Sequence, residues 1–416
     1  MIFATLGVAL LLAQIPSNVA SEVRQLAAIA TGLRTEYSAD ILLRLIETGK
    51  IPDRKLRLDL LEHVFQSAPQ ALAPFPMTDV ASKGDTLSWR LSEAYRQRLD
   101  TLSIQLRVVE GLLKEDPKKA RQTFARIPPL VLPRAGCEQP MVPDVAQFYV
   151  VLRELIDGSD PAMLRHRIAE IQSVFQLVPV FDLLESTRLP PLVFDDLTKV
   201  LADQMAKMPG TDREWRAAGS VEDWFERILR IEHRRRQRQT RLYDAGRQLG
   251  FYSPCRESVA KVEPVEVPQR LSDLLRPLYS SRDPRFEKIT GVVPEAWEVS
   301  GTRFLDELAG YTTATTSEET RVFEIKSTLY LTAIDNLPEG RLLDRARVDH
   351  LQFLRSNALQ SKSPMQWLAQ LKSLLRFTRE TGGERMLDAM KRINDPVIAA
   401  YAQLESIAPQ PNVLGK

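Results

Sequence analysis

The sequence is poor in the residues that carry most metal and nucleotide chemistry. Its 416 residues include only 2 cysteines and 4 histidines. No two histidines stand four residues apart, and none lies near a cysteine in the chain, so the usual zinc spacings are absent. A glycine-rich phosphate loop is also missing. We therefore expect neither a metal site nor a bound cofactor.

The chain also lacks an excess of one charge and has little glycine. It has 56 basic and 54 acidic residues, for a net charge of +2. Such a balance produces no global field, and we expect no binding to nucleic acid. Glycine occurs 18 times, whereas leucine, alanine, arginine and glutamate are frequent. These four residues lose little side-chain freedom in a helix, so the composition favours helices.

Long apolar runs are missing except at the start of the chain. Residues 2–13 are apolar apart from Thr5 and Gly7, and small residues follow at positions 19–21. This pattern predicts a cleavable export signal over residues 1–21 and a periplasmic or extracellular mature chain. The run is too short to span a bilayer comfortably, and we expect no membrane span after it. Because no basic residue precedes the run, a first helix of the fold is the alternative.

Helix-start signals are frequent. An aspartate followed by proline can cap a helix, since its carboxylate accepts free amide N–H groups and proline needs no donor there. A Ser-Pro-Met-Gln stretch at 363–366 predicts a capping box. Between these signals, apolar residues recur at intervals of three and four, as in amphipathic helices. The Asp-Pro pairs begin at Asp116, Asp160, Asp283 and Asp395.

These signals predict an all-α protein of stacked antiparallel helical hairpins, forming an irregular α-solenoid-like or multi-block helical array. Proline-rich breaks at 128–143 and 264–268 divide the chain. We therefore predict an N-terminal block over 22–127, a middle block over 144–258 and a C-terminal block over 269–408.

One hairpin resembles a known repeat. Residues 115–124 resemble the second helix of a tetratricopeptide hairpin, with Ala120 and Phe124 at the small and aromatic positions. In the preceding helix Ile104 matches the family, whereas Arg107 and Gly111 depart from it. The resemblance implies a stacked array that holds peptides on a concave face. No fixed period extends it, so a helical domain with one antiparallel pair is the alternative.

An arginine-rich helix is the most unusual feature of the sequence. Residues 221–249 read as one long helix, and 232–241 contain no apolar residue. A helix that is polar all round meets either solvent or a polar partner. We predict an anion-binding face for an acidic protein or an anionic envelope surface. A solvated helix paired with nearby acidic residues is the alternative. The face consists of Arg227, Arg230, Arg234, Arg238 and Arg241.

The two cysteines, Cys137 and Cys255, lie at breaks between helical blocks. In an oxidising compartment an even count predicts a bridge, and this one would enclose the middle block. In the cytosol the two residues would be separate thiols.

Two classes of function compete. The favoured one is an exported binding or scaffold protein, which a polar groove would support. The other is an exported hydrolase, which a closed pocket with two facing carboxylates would support. Glu185-Ser186 is similar to the catalytic pair of lytic transglycosylases, which cleave cell-wall glycan, although that family's later Gly-Leu-Met-Gln motif has no counterpart at the right distance. No motif by itself makes the chain an enzyme.

Overall fold

The computed structural model describes most of the chain in separate stretches. These are residues 21–79, 87–134, 141–156, 161–208, 226–227, 230, 269, 273, 294–311, 319–337, 340–357, 363–380 and 383–407. Residues 1–20 of the predicted signal, both cysteines and Arg234, Arg238 and Arg241 lie outside the described residues.

The described residues are overwhelmingly helical, which confirms the all-α prediction. The first helices are α1 (Ser21–Thr31), α2 (Thr35–Glu47), α3 (Arg54–Ser67), α4 (Leu87–Arg96), α5 (Thr101–Glu115), α6 (Pro117–Ala125), α7 (Ala146–Leu155), α8 (Pro161–Ala169), α9 (Leu177–Ser186) and α10 (Pro191–Met205). Later in the chain follow α11 (Pro294–Gly310), α12 (Glu319–Asn336), α13 (Arg341–Ser356), α14 (Pro364–Glu380), α15 (Glu384–Lys391) and α16 (Pro396–Ile407). Short 3-10 turns occupy Ala68–Gln70 and Val174–Gln176.

A small sheet is present that the sequence pattern did not predict. Strands β1 (Met77–Asp79) and β2 (Met141–Pro143) pair antiparallel, with Met77 opposite Pro143. Strands of three residues are too short to show a period of two, and β2 lies inside the proline-rich break at 128–143. The sheet joins two parts of the chain that the sequence pattern separates.

Most predicted helix starts lie where the sequence places them. Asp116 accepts a hydrogen bond from the backbone N of Lys119 at 3.0 Å, and α6 begins at Pro117. Asp395 caps α16 through the backbone N of Val397 at 3.0 Å. Helix α8 begins at Pro161, although Asp160 lies outside the described residues.

The predicted capping box at 363–366 is wrong. Helix α14 does begin at Pro364, but the Ser363 hydroxyl has no hydrogen-bond partner among the described residues. The Gln366 amide instead donates to Glu324 on α12 at 2.6 Å. A tertiary partner therefore replaces the local one. A capping box does form between Ser173 and Gln176.

The chain divides into two compact units. Unit 1 contains residues 1–20, 34–82 and 94–261, and unit 2 contains 21–33, 83–93 and 262–416. Helices α2, α3 and α5–α10 of the predicted N-terminal and middle blocks lie in unit 1, whereas α1 lies in unit 2 with the helices of the predicted C-terminal block. Helix α4 is divided between the two units. Helix α1 packs against α16 within unit 2, where the Gln403 amide donates to the Glu22 carbonyl at 2.8 Å.

The tetratricopeptide-like hairpin is a packed pair in unit 1. Helices α5 and α6 contact each other, and Ala120 and Phe124 are fully buried. Gly111 allows α3 to come close, because a Cβ there would lie 3.2 Å from Leu61 Cδ2. The Gly111 departure from the family therefore fits this protein's own packing. The solenoid arrangement stays a prediction.

In unit 1, arginine side chains connect neighbouring helices through hydrogen bonds and ion pairs. The buried Arg167 on α8 donates to the carbonyls of Phe124 at 2.9 Å and Ile127 at 2.8 Å, at the end of α6. A cation at a helix C-terminus satisfies free carbonyls and opposes the helix dipole. Arg57 on α3 makes a two-bond ion pair with Glu115, with both N···O distances at 2.7 Å.

Candidate functional site: a groove between helices α11 and α13

The groove lies in unit 2 between helices α11 and α13. Its volume is about 580 Å³, within the range of protein ligand sites. The two helices belong to one compact unit and contact each other directly. Two sets of side chains line the groove. Helix α11 contributes Glu298, Val299, Thr302, Arg303 and Asp306, and helix α13 contributes Arg341, Leu342 and Arg345.

A glycine sets how closely the two helices approach. Gly301 is buried on α11, and a Cβ at this position would lie 2.3 Å from Leu342 Cδ2. Any larger residue would push the leucine side chain aside. A glycine inside a helix costs about 1 kcal/mol relative to alanine, so its presence here fits a close contact at the groove.

A buried lysine holds the end of α11 in place. The ammonium of Lys326 on α12 donates to the carbonyls of Ala309 at 2.9 Å and Tyr311 at 3.0 Å. Burial lowers the pKa of this amine, yet the two carbonyls and the face of the Phe353 ring, 5.1 Å away, receive the cation. One wall of the groove is therefore fixed by a neighbouring helix.

Several charges of the groove are already paired. Arg345 forms ion pairs with Asp306 across the groove and with Asp349 on its own helix, the latter at 3.3 Å. The hydrogen bond that Arg345 donates to the Asp306 carboxylate raises the pKa of Arg345 above its usual value. Arg303 lies 3.4 Å from Glu307. The Arg345–Asp306 pair bridges the two helices, and the other two contacts hold Arg345 and Arg303 against their own helices.

Two charges of the groove have no such contact. Within the described part of the chain, the side chains of Glu298 and Arg341 have no hydrogen-bond or ion-pair partner, and both residues are exposed. Beside Glu298 in sequence, Val299 leaves 70% of its surface in solvent. An open carboxylate, an open guanidinium and an exposed apolar side chain thus line the same groove.

A histidine is buried behind the groove helix. His350 on α13 is fully buried and stacks on Tyr330 of α12, with the ring centroids 5.3 Å apart. Neither of its ring nitrogens has a hydrogen-bond partner among the described residues. Burial lowers the pKa of His350 to about 3, so the ring is neutral in the folded chain. Burial also raises the pKa of Tyr330 to about 12. With no exposed surface, the histidine cannot meet a substrate.

Two arginines of the predicted anion-binding face lie within the described residues. Arg227 pairs with Asp182 on α9, and Arg230 lies 3.7 Å from Glu185 and 3.5 Å from Glu226. These two side chains therefore face acidic residues of the same chain. The arginine face as a binding surface stays a prediction, because its other three members lie outside the described residues.

The hydrolase interpretation depends on Glu185. Its carboxylate lies beside the guanidinium of Arg230, and the next hydroxyl, on Ser186, donates to the Asp182 carbonyl at 2.7 Å. A glycosidase acid needs surroundings that keep it protonated, such as an apolar pocket. The contacts described for Glu185 include the Arg230 guanidinium, and no apolar pocket is described around its carboxylate. The described surroundings of Glu185 thus provide no support for this interpretation.

A second hollow lies in unit 1 between α8 and α10. Its volume is about 350 Å³, and Leu192 at its edge is 84% exposed. Its two charged residues, Arg165 and Asp196, are paired with each other at 2.7 Å. This hollow offers an apolar surface without an open charge.

Neither the membrane nor a metal centre is indicated by the described residues. None of the helices in these stretches has both the length and the apolar character to cross a bilayer. Nor do these stretches bring three or more histidine, cysteine or acidic side chains together as metal ligands. Family models, curated proteins and solved structures were all compared with the chain, and none matches it.

Sequence reasoning missed the groove because its walls are about forty residues apart in the chain. Helical periodicity identifies each wall as a helix but does not reveal which helices become neighbours. One signal was available: Gly301 stands inside a helical pattern, where glycine often indicates a close packing contact.

Proposed function

We propose that this chain is an exported helical binding protein, and that the groove between α11 and α13 holds a segment of another protein. One observation carries the proposal: an open carboxylate and an open guanidinium line the same groove as an exposed valine. A surface that combines charges with an apolar contact can recognise a polypeptide by side-chain type.

The pairing inside the groove supports binding over catalysis. The Asp306 carboxylate is engaged by Arg345, so it is not poised to act as a base or a nucleophile. Glu298 is exposed to solvent, outside the closed pocket in which catalytic carboxylates usually lie. Recognition of charge requires no such activation, and the exposed guanidinium of Arg341 can bind a carboxylate directly.

Export is part of the same proposal and rests on residues 2–21 of the sequence. Expressed with its own start in a cell that exports it, the mature protein is expected to begin near Glu22. Sequencing the N-terminus of the purified protein tests this expectation. A soluble cytosolic product that keeps residues 1–21 would contradict it.

The binding function can be tested by affinity capture from the native envelope with the mature chain as bait. Val299→Glu places a third acidic side chain in the groove and should abolish capture of a specific partner. Val348→Glu is the matched control, because Val348 is 40% exposed on α13 but does not line the groove. Capture that survives in both variants, or that is lost in both, would count against the groove as the binding site.

A further inference from the structure

We propose that the groove recognises a short segment in which an acidic and a basic side chain flank an apolar one. In this arrangement the acidic side chain meets Arg341, the basic one meets Glu298, and the apolar one packs on Val299 and Leu342. The inference rests on the proposed binding function and specifies the chemistry of its partner.

The groove charges that have no ion-pair partner within the chain define the two polar ends of the segment. The groove lining has three arginines and two acidic residues. Arg345 is engaged by Asp306 and Asp349, and Arg303 by Glu307. The open charges are therefore one of each sign, on different helices. A ligand with a single charge would pair with only one of these two residues, whereas a segment that carries both signs can form an ion pair with each.

The apolar contact lies beside each open charge in sequence. Val299 follows Glu298 on α11, and Leu342 follows Arg341 on α13. All four residues line the groove, so each wall presents a charge next to an aliphatic side chain. Burial of the 70% exposed Val299 would supply hydrophobic free energy, while the flanking charges would select the partner.

Both walls are held before any ligand binds. The Arg345–Asp306 ion pair bridges the helices, and Lys326 fixes the end of α11 through two carbonyls. A preformed groove loses less conformational entropy on binding than a mobile one. Selection by charge position is therefore expected to be sharp.

The experiment is selection from a phage-displayed library of random peptides on the immobilised full chain, repeated with charge-reversal variants. The wild-type chain should enrich peptides with an acidic, an apolar and a basic residue at a constant spacing. Arg341→Glu should replace the acidic preference with a basic one and weaken a wild-type-selected peptide about tenfold. Glu298→Lys should replace the basic preference with an acidic one.

Arg355→Glu is the matched control for these variants. Arg355 is exposed on the last turn of α13 and does not line the groove, so its reversal should leave the selected peptides unchanged. All the reversed residues are exposed, and circular dichroism with urea unfolding checks that each variant folds.

The outcomes separate this inference from the proposed function. Peptides that are enriched through the groove, but with the same charges in the wild-type chain and in Arg341→Glu, would overturn the inference and leave the binding function standing. Enrichment of no peptide above background would overturn both. A change of preference in Arg355→Glu equal to that in Arg341→Glu would also overturn the inference.

Discussion

Units 1 and 2 differ in how their buried polar side chains are hydrogen-bonded. In unit 1 the buried Arg167 reaches two helix-end carbonyls and Glu170, and Arg107 pairs with the buried Asp40 at 3.1 Å. In unit 2 both nitrogens of the buried His350 and the Ser327 hydroxyl have no hydrogen-bond partner among the described residues. Buried atoms without a partner occur in the described part of unit 1 as well, but there they are single oxygens of carboxylates or amides, such as Asp100 Oδ2 and Gln97 Oε1. His350 in unit 2 lacks a partner at both of its nitrogens, and this unmet polarity reduces the stability of unit 2.

Their surface depressions differ in the same way. The hollow of unit 1 has its two charges paired with each other, while the groove of unit 2 leaves Glu298 and Arg341 open. A charge that is satisfied inside the chain contributes to the fold, and a charge that is left open is available to a partner. This contrast is the basis for our proposal that unit 2 is the binding unit.

Arg167→Met would test the role of arginine in unit 1 with the largest expected effect. The substitution removes the hydrogen bonds that Arg167 donates to the carbonyls of Phe124 and Ile127 and to the Glu170 carboxylate. Loss of one partner from a buried ionic network costs about 3–5 kcal/mol of the free energy of unfolding, measurable by urea denaturation. Arg165→Met is the control two residues away, because its pair with Asp196 is exposed and contributes at most about 1 kcal/mol. Equal losses in the two variants would contradict the assignment.

His350→Phe would test the buried polar group of unit 2. Phenylalanine keeps a flat ring against Tyr330 and removes both nitrogens that lack partners. The variant is expected to raise the free energy of unfolding of unit 2 by about 1–3 kcal/mol. Hydrogen exchange of α12 and α13 measures this change region by region. Faster exchange in the variant would mean that the imidazole has a stabilising contact.

Acid should also destabilise unit 2 through His350. The unfolded chain takes up the proton near pH 6.5, whereas burial lowers the pKa of His350 in the fold to about 3. Stability is therefore lost as the pH falls below 6.5, and this residue accounts for about 2 kcal/mol between pH 7 and pH 5. The loss should be absent from His350→Phe. An equal loss in that variant would assign the acid sensitivity to another group.

Asp100 should make unit 1 more stable as the pH falls, by a smaller amount than the loss expected from His350 in unit 2. It caps α5 through the backbone N of Ser103 at 2.9 Å, and burial raises its pKa from 3.8 to about 6. The fold therefore binds a proton that the unfolded chain does not hold between pH 6 and pH 4. Stability from this residue rises by about 1 kcal/mol as the pH falls from 7 to 5. Asp100→Asn keeps the capping oxygen and should remove the gain, as hydrogen exchange of α5 at the two pH values would show. A gain that persists in this variant would contradict the assignment.

Much of the fold could be predicted from the sequence because its signals are local. Asp116 and Asp395 cap helices through bonds within three residues, at the Asp-Pro pairs that predict helix starts. Gly49 adopts a φ of +70° just after α2, which is a common way for a helix to end. Where a distant residue offered a better partner, local reasoning failed. Gln366 donates to Glu324, 42 positions away, instead of closing a capping box with Ser363.

The candidate site could not be predicted for a related reason. The sequence singled out the arginine face because its five members repeat at helical spacing. The groove depends on which arginines remain open after folding, and that is decided by pairs such as Arg345–Asp306, which are 39 positions apart. Arg341 and Arg345 are the same residue type on the same helix, and only the tertiary ion pair of Arg345 distinguishes them.

Site-specific photo-crosslinking would test most directly whether unit 2 is the binding unit. A photoreactive amino acid would be placed at Val299 in the groove or at Leu192 in the hollow of unit 1. Both positions are highly exposed, at 70% and 84%, so access to the probe is matched. Irradiation in the native envelope should give a discrete crosslinked partner from position 299 and none from position 192. A partner captured from position 192 alone, or equally from both positions, would contradict the account.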